Sequence, residues 1–308
     1  MRIAVLGAGA MGSIFGGKLT EAGEDVVFVD ISKSLVERLE SQGLRLVDQQ
    51  GERVIRVRAT TNPASIGKPD VVFVFVKCYQ TESALAFGRP LLGDQTLVTT
   101  LQNGWGNGDV LAGVVPVDRV VVGINYHSGT VLEPGKVAHT RSGSTVIGPW
   151  DGQSEAAARR IGEVFERAGL PTEVTLNIRE KVWGKVTLNS ATLPVAALTR
   201  LRAGRIGEPG AVLEVVHGLA RETVAVGRSL GFEIDPDEEI ATIDRVLREA
   251  GDGKASMLQD IEANRQTEID VINGAVVRLG DEHGVPVPLN RVMLALVKGY
   301  EQAQGIGK

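Results

Sequence analysis

Arg2-Ile3-Ala4-Val5-Leu6-Gly7-Ala8-Gly9-Ala10-Met11-Gly12 is the stretch whose reading decides the fold. The first five residues form an apolar, β-branched run that reads as a strand. It leads into a Gly-x-Gly-x-x-Gly turn. A helical pattern through Ile14, Phe15, Lys18 and Leu19 follows and closes at Gly23. A second strand, Val26–Val29, ends in Asp30. Each part has a physical task in binding a dinucleotide. Gly7 makes the tight turn, Gly9 lets the backbone approach a pyrophosphate, and Gly12 lets the helix pack close to the strand. The helix N-terminus, at Ala10 and Met11, offers free N–H groups and the positive end of its dipole to phosphates. Asp30 follows at about the ~20-residue spacing expected of an acid that accepts hydrogen bonds from a ribose diol. A glycine turn serving packing alone would not account for that acid.

Working outward, 308 residues at 43% hydrophobic content suffice for two domains with real cores. The net charge of −5 has both signs dispersed, so no basic footprint points to nucleic acid. Cys78 is the only cysteine, which excludes an internal disulfide and fits a reducing cytoplasm. The chain opens on a buried-type strand, so no signal peptide is expected, and no apolar run approaches the ~18 residues needed to span a membrane. Four scattered histidines and one cysteine give no metal-ligand cluster.

Along the chain, Ser32 is placed to cap a helix through Leu35, Val36 and Leu39 that ends near Gly43. Leu44–Val47 and Val54–Val57 read as a hairpin or crossover appendage. Val71–Val76 is a continuous apolar run, as in a parallel strand buried on both faces. Lys77 stands at its carboxyl end, where open α/β sheets bind ligands. A helix over Thr81–Phe87 and a strand over Thr96–Leu101 follow, the latter ending at Asn103-Gly104. Asn103 is therefore a second strand-end candidate, although Asn-Gly is also an ordinary turn. Val120–Asn125 is a further strand, and Val131–His139 with Ser144–Ile147 reads as a strand pair. His127 and His139 have no acid or nucleophile pattern around them and are expected to be structural or on the surface. Helix Glu155–Ala168 and strand Thr172–Val174 complete the first domain.

From Asn177 onward the pattern is helical: Arg179–Leu193, Ala211–Leu230, Glu238–Arg248, Asp260–Gly280 and Leu289–Gln304. The expected architecture is α/β, with an N-terminal Rossmann-type dinucleotide-binding domain over 1–176 and an all-α C-terminal domain over 177–308.

In the second part, Lys185 and Asn189 are four residues apart and share a helix face. Reduction of a ketone leaves an alkoxide that must be stabilised and protonated. A lysine in a cleft does both, because its pKa falls readily on burial; taken alone, such a lysine reads as a solvated one. Glu268 borders the stripe Ile269, Ile272, Val276 and Leu279, where it could orient a lysine or bind a substrate hydroxyl, or simply pair with Arg265 at the surface.

Together, Gly7–Gly12, Lys77, Asn103-Gly104, the Lys185–Asn189 helix and Ser256-Met257-Leu258-Gln259-Asp260 followed by Thr267-Glu268-Ile269-Asp270 resemble the ketopantoate reductase (2-dehydropantoate 2-reductase) family over essentially the whole chain. The resemblance implies reduction of 2-dehydropantoate to D-pantoate in pantothenate synthesis, usually with NADPH, in the cytoplasm. It implies Lys185 as general acid and Glu268 as the residue that binds substrate and helps place the lysine. Asn189, Ser256 and Asn103 would hold the substrate, Ser256 at its carboxylate, and Asn103 and Lys77 would lie by the nicotinamide. Expected partners are a small-molecule 2-keto acid and, as an open option, a second copy of the chain in a homodimer. No nucleic acid, membrane or metal is expected.

Two positions depart from the family pattern. Asp30 stands where many members carry a basic residue for the 2′-phosphate of NADP; a carboxylate repels that phosphate and favours NAD, with Lys33 nearby as a counterweight. Leu193, before Pro194, stands where asparagine is frequent. Both lean toward an NAD-dependent D-2-hydroxyacid dehydrogenase of the same superfamily, acting on branched or aromatic 2-keto acids. A β-hydroxyacid dehydrogenase also uses a Lys-x-x-x-Asn helix, but the Ser256–Asp270 motif argues against it. A non-catalytic dinucleotide sensor would have no reason to retain Lys185, Asn189 and Glu268 together.

Overall fold

A computed structural model describes residues 1–306; the last two residues of the expected second domain lie outside the described residues. The chain divides into two compact units. One comprises Met1–Gln102 and Asn107–Arg179; the other comprises Asn103–Gly106 and the chain from Glu180 onward.

The first unit is built on two sheets. Its strands are β1 (Arg2–Leu6), β2 (Asp25–Val29), β3 (Leu44–Asp48), β4 (Gly51–Ile55), β5 (Arg58–Thr60), β6 (Val71–Val74), β7 (Leu97–Thr100), β8 (Val120–Asn125), β9 (Ser128–Glu133), β10 (Lys136–Arg141), β11 (Thr145–Pro149) and β12 (Thr172–Val174). Eight strands form the main sheet in the order β12-β11-β8-β7-β6-β1-β2-β5. All its pairs are parallel except β8 with β11. The central strands β6 and β7 are buried throughout, as continuous apolar runs require when both faces are covered.

The remaining four strands form a smaller sheet, β4-β3-β10-β9. Helix α1 (Ala10–Glu21) lies against both sheets. A Cβ at Gly16 would sit 2.5 Å from the Phe28 ring of β2, and one at Gly17 would sit 2.9 Å from Leu44 of β3. Side chains at these positions would push the sheets away from the helix. Helix α2 (Lys33–Gln42) is capped by Ser32, whose hydroxyl accepts from Leu35 N–H, and it stops at Gly43. Helices α3 (Thr81–Phe87), α4 (Asn107–Ala112) and α5 (Glu155–Arg167) complete the unit.

One expectation here is corrected. Val131–His139 is not a strand paired with Ser144–Ile147. It is itself a hairpin, β9 with β10, turning at Pro134-Gly135, where Gly135 has φ +78°. The Ser144–Ile147 stretch lies within β11 of the main sheet, antiparallel to β8. His127 and His139 are buried, with His127 Nδ1 and His139 Nε2 3.0 Å apart, and burial holds His139 below the usual histidine range. They are structural, not surface, residues.

The second unit is helical. Helix α6 (Ile178–Thr199) carries the division between the units near its start. It is followed by α7 (Ala203–Ile206), α8 (Ala211–Ser229), α9 (Pro236–Ala250), α10 (Ser256–Glu262), α11 (Asn273–His283) and α12 (Pro288–Ala303). Two apolar clusters hold it. One is centred on Ala191, Val216, Leu219 and Ile243, the other on Met257, Ile261, Ile269, Ile272 and Val297.

Helix α6 runs past Pro194, where the sequence suggests a bend or an end. Proline has no N–H, so the carbonyl four residues earlier, on Ser190, loses its helical partner. Asn273 Nδ2 donates to that carbonyl at 3.0 Å and replaces it.

The expected continuous helix over Asp260–Gly280 is corrected as well. It is two helices, α10 and α11, separated by a loop and a short 3-10 turn at Ile269–Val271. Asn264 adopts the left-handed conformation at φ +54°. The buried Glu301 carboxylate then accepts from both the N–H and the hydroxyl of Thr267, each at 2.7 Å, and anchors the returning chain.

Candidate active site

In the first unit the glycine turn has the geometry its sequence implies. Gly7 has φ +94°, and a Cβ there would meet Val76 at 2.9 Å. A Cβ at Gly12 would lie 2.0 Å from the Gly7 carbonyl oxygen, so the helix enters the turn too tightly for any side chain. Gly9 differs. A Cβ there would meet nothing within 4 Å, so open space lies in front of its backbone. Gly9 is also the N-cap of α1 and supplies no side-chain cap, and no acid stands in the first turn. The N–H groups of Ala10, Met11 and Gly12 thus lie at an uncapped helix end beside a glycine cradle, an arrangement suited to a pyrophosphate.

Asp30 is tied into the same turn. Its Oδ2 accepts from Ala8 N–H at 2.9 Å and its Oδ1 from Ser32 N–H at 2.9 Å. A carboxylate offers about four acceptor positions, so it can still receive a ribose diol. Lys33 is 83% exposed at its side chain and lies 3.7 Å from Glu37, its i+4 neighbour. Lys77 follows Val76, the residue against Gly7, and opens a 3-10 turn at Cys78–Gln80. Gln102, not foreseen from the sequence, braces this region. Its Nε2 donates to the Val76 carbonyl at 2.6 Å and to Thr81 Oγ1 at 3.0 Å, and its Oε1 accepts from Thr100 Oγ1 at 2.7 Å. Its place at a strand end beside Asn103 was the available signal.

In the second unit, Lys185, Glu268 and Asn103 come together, with Asn189 one turn along the helix from Lys185. Lys185 and Asn189 occupy one face of α6, with Asn189 buried. On the far face, Trp183, Thr187 and Ser190 pack inward: the Trp183 indole N–H donates to the Thr223 carbonyl at 3.0 Å, and the Ser190 and Thr223 hydroxyls lie 2.8 Å apart. The helix is thereby fixed in rotation. Burial of its ammonium pushes Lys185 down to about 8, an effect opposed by the negative charge of Glu268.

Glu268 is 7% exposed and lies in the turn before Ile269–Val271, not on a helix border. The surface pairing with Arg265 does not occur; Arg265 lies 3.2 Å from Asp260. Asn103 Nδ2 donates to Glu268 Oε2 at 3.3 Å. Ser256 is the exposed first residue of α10 and joins none of these bonds, while the next residue, Met257, is buried in the cluster with Ile269. Leu193 is half-buried against that same cluster. Among the described residues, no group of three or more His, Cys, Asp or Glu is arranged to hold a metal ion, and no helix is long and apolar enough to cross a membrane.

An acid-tipped strand beside a glycine cradle in one unit, and a half-buried lysine with a lowered pKa under the influence of a buried carboxylate in the other, define a Rossmann-type oxidoreductase. Two family models match the chain: Ketopantoate reductase PanE/ApbA over residues 3–152, and Ketopantoate reductase PanE/ApbA C terminal over residues 177–301. The chain belongs to the ketopantoate reductase family.

It is 33% identical to the 2-dehydropantoate 2-reductase of Archaeoglobus fulgidus over 97% of this chain and 98% of that one. It is also 33% identical to the 2-dehydropantoate 2-reductase of Pyrococcus horikoshii over the full length of both. Among solved structures, a ketopantoate reductase of Ralstonia eutropha superposes with a TM-score of 0.89 at 34% identity, covering 99% of this chain and 100% of that one. D-mandelate dehydrogenase in complex with NADH and anilino(oxo)acetate superposes with a TM-score of 0.94 at 27% identity, with the same coverage.

Proposed function

We propose that this protein is a 2-dehydropantoate 2-reductase, transferring hydride to the 2-keto carbon of ketopantoate with Lys185 as the proton donor. The observation that carries the reading is the half-buried Lys185, whose partial desolvation pushes it down to about 8 while the Glu268 charge opposes the shift. At neutral pH such a lysine is mostly protonated, yet it loses its proton far more readily than an ordinary one. A dihydronicotinamide dinucleotide, when bound, supplies the hydride. As negative charge develops on the substrate oxygen, Lys185 Nζ stabilises it and then protonates it. Glu268 keeps the ammonium charged and holds a substrate hydroxyl. Asn103, Asn189 and Ser256 hold the keto acid, Ser256 at its carboxylate.

The cofactor residues are Gly7, Gly9, Ala10, Met11, Gly12, Asp30 and Lys77, with Asn103 beside the nicotinamide. In this reading residues 1–176 form the nucleotide-binding domain and 177–308 the substrate and catalytic domain. NAD is the preferred dinucleotide. Asp30 is fixed by two backbone N–H groups where a ribose diol would sit, and the exposed Lys33 is drawn toward Glu37.

A second reading has one observation in its favour. Leu193, two helical turns beyond Lys185, is only half-buried and so leaves part of its apolar side chain open. This suits an NAD-dependent D-2-hydroxyacid dehydrogenase acting on branched or aromatic 2-keto acids. A panel of 2-keto acids, each assayed with NADH and with NADPH, separates the two. Highest kcat/KM for ketopantoate supports the first reading. Highest kcat/KM for an apolar or aromatic 2-keto acid supports the second and overturns the first.

A further inference from the structure

The segment Asn103–Gly106 follows strand β7 yet packs as part of the helical unit. Its seat is unusually well defined. Trp105 N–H donates to the Val271 carbonyl at 2.8 Å. Gly104 has φ +87°, and a Cβ there would lie 2.6 Å from that same carbonyl oxygen and 2.4 Å from Val271 Cγ2, so only glycine fits. The Trp105 side chain is buried. It meets the Trp183 ring edge-on at 5.1 Å and the Phe232 ring at 5.9 Å. Trp183 is itself fully buried and tightly held. Its indole bonds the Thr223 carbonyl, and a Cβ at Gly227 would fall 2.4 Å from its Nε1. The segment is thus pinned on one side to α6, two residues before Lys185, and on the other to the 3-10 turn that begins just after Glu268.

Two ties connect the same two short segments. Trp105 N–H bonds Val271, and Asn103 Nδ2 bonds Glu268 Oε2, while Val271 N–H donates back to the Glu268 carbonyl at 3.2 Å. Together they close a ring that fixes the Glu268 side chain from both ends. Asn103 alone could not do this, because an amide on a mobile loop follows the carboxylate instead of directing it. We infer that Trp105, seated on Trp183 and Val271, is a positioning residue that aims Glu268 at Lys185 through Asn103. The inference rests on the reading of Lys185 and Glu268 as the proton-donating pair. It assigns the direction of that carboxylate to an aromatic contact with Trp183 and Phe232.

The test is a double-mutant cycle on the Lys185 pKa, read without substrate by competitive acetic anhydride labelling and mass spectrometry. In the otherwise native protein, Glu268→Gln is expected to lower the Lys185 pKa by about 1 unit or more. In a Trp105→Ala background the same substitution is expected to move it by less than about a third as much, because the carboxylate is no longer aimed. Trp105→Phe, which keeps an edge-on ring against Trp183, is expected to restore the full shift. If Trp105→Ala does not fold, Gly104→Ala serves instead, since its Cβ displaces the segment from Val271 without emptying the core. An equal Glu268→Gln shift in the native and the altered background overturns the inference. Absence of 2-keto acid turnover in the native protein would instead overturn the proposed function and leave the pKa cycle readable.

Discussion

Glu268→Gln changes one charge and little volume, so its effect on catalysis can be worked from the site. Lys185 stands at about 8 because burial lowers it and the Glu268 charge raises it. Removing the charge leaves burial unopposed. An opposite charge at close range is worth about 1–3 pKa units, so Lys185 falls to roughly 5–7. Reduction needs the protonated amine, so the rate falls as pH rises through that pKa. At pH 7.5 a group of pKa 8 is about three-quarters protonated, whereas one of pKa 6 is only about 3% protonated. The variant should therefore turn over roughly twentyfold more slowly at pH 7.5. It should recover most of that loss when assayed near pH 5.5, where about three-quarters of the lysine is again charged. The assay is kcat/KM for 2-keto acid reduction across pH 5–9, which reports the lysine before the keto acid binds. A uniform loss at every pH, with the limb still near 8, would refute the electrostatic argument and leave Glu268 as a substrate contact only.

Three further outcomes follow from the same geometry. Gly9→Ala puts a Cβ into open space with no protein atom within 4 Å, so dinucleotide affinity measured by calorimetry should drop at least tenfold while the thermal midpoint stays near that of the native protein; Gly12→Ala, which strikes the Gly7 carbonyl, should instead lower the midpoint. The native enzyme should use NADH at least as well as NADPH, and Asp30→Ala should shift the ratio of the two kcat/KM values toward NADPH; a strong native preference for NADPH would remove Asp30 from that role. Leu193→Asn should raise kcat/KM for ketopantoate relative to 2-ketoisovalerate by about one to two decades, the equivalent of a buried hydroxyl gaining its partner; an unchanged ratio would make Leu193 a packing residue.

The first unit was largely legible because its signals are local. The glycine turn, the acid at the end of β2, the Ser32 cap and the unbroken apolar run of β6 each act within a few residues. Of the smaller sheet, only the β3–β4 hairpin was legible. Its pairing of β3 with β10 joins segments about ninety residues apart, and no periodicity records which sheet a strand joins. Lys185 and Asn189 could be placed on one helix face by spacing alone.

Glu268 was expected at the border of a continuous helix and lies instead in the turn before Ile269–Val271. The apolar residues Ile269, Ile272, Val276 and Leu279 keep a helical period through a break that is imposed from elsewhere, by Glu301 holding Thr267. Likewise Pro194 reads as a helix stop until Asn273 is found bonding the orphaned Ser190 carbonyl. Such long-range polar repairs leave no spacing in the sequence. Trp105 was invisible for the same reason: an aromatic beside an Asn-Gly turn carries no sign of what it packs against.

The central claim is that Lys185 donates the proton, and turnover of Lys185→Ala beside a direct titration of its dinucleotide affinity tests it most directly. The account expects kcat to fall by about 10²–10⁴ while the dissociation constant for the cofactor stays within about twofold, since the glycine cradle and Asp30 belong to the other unit. Turnover within a few-fold of the native enzyme would contradict it.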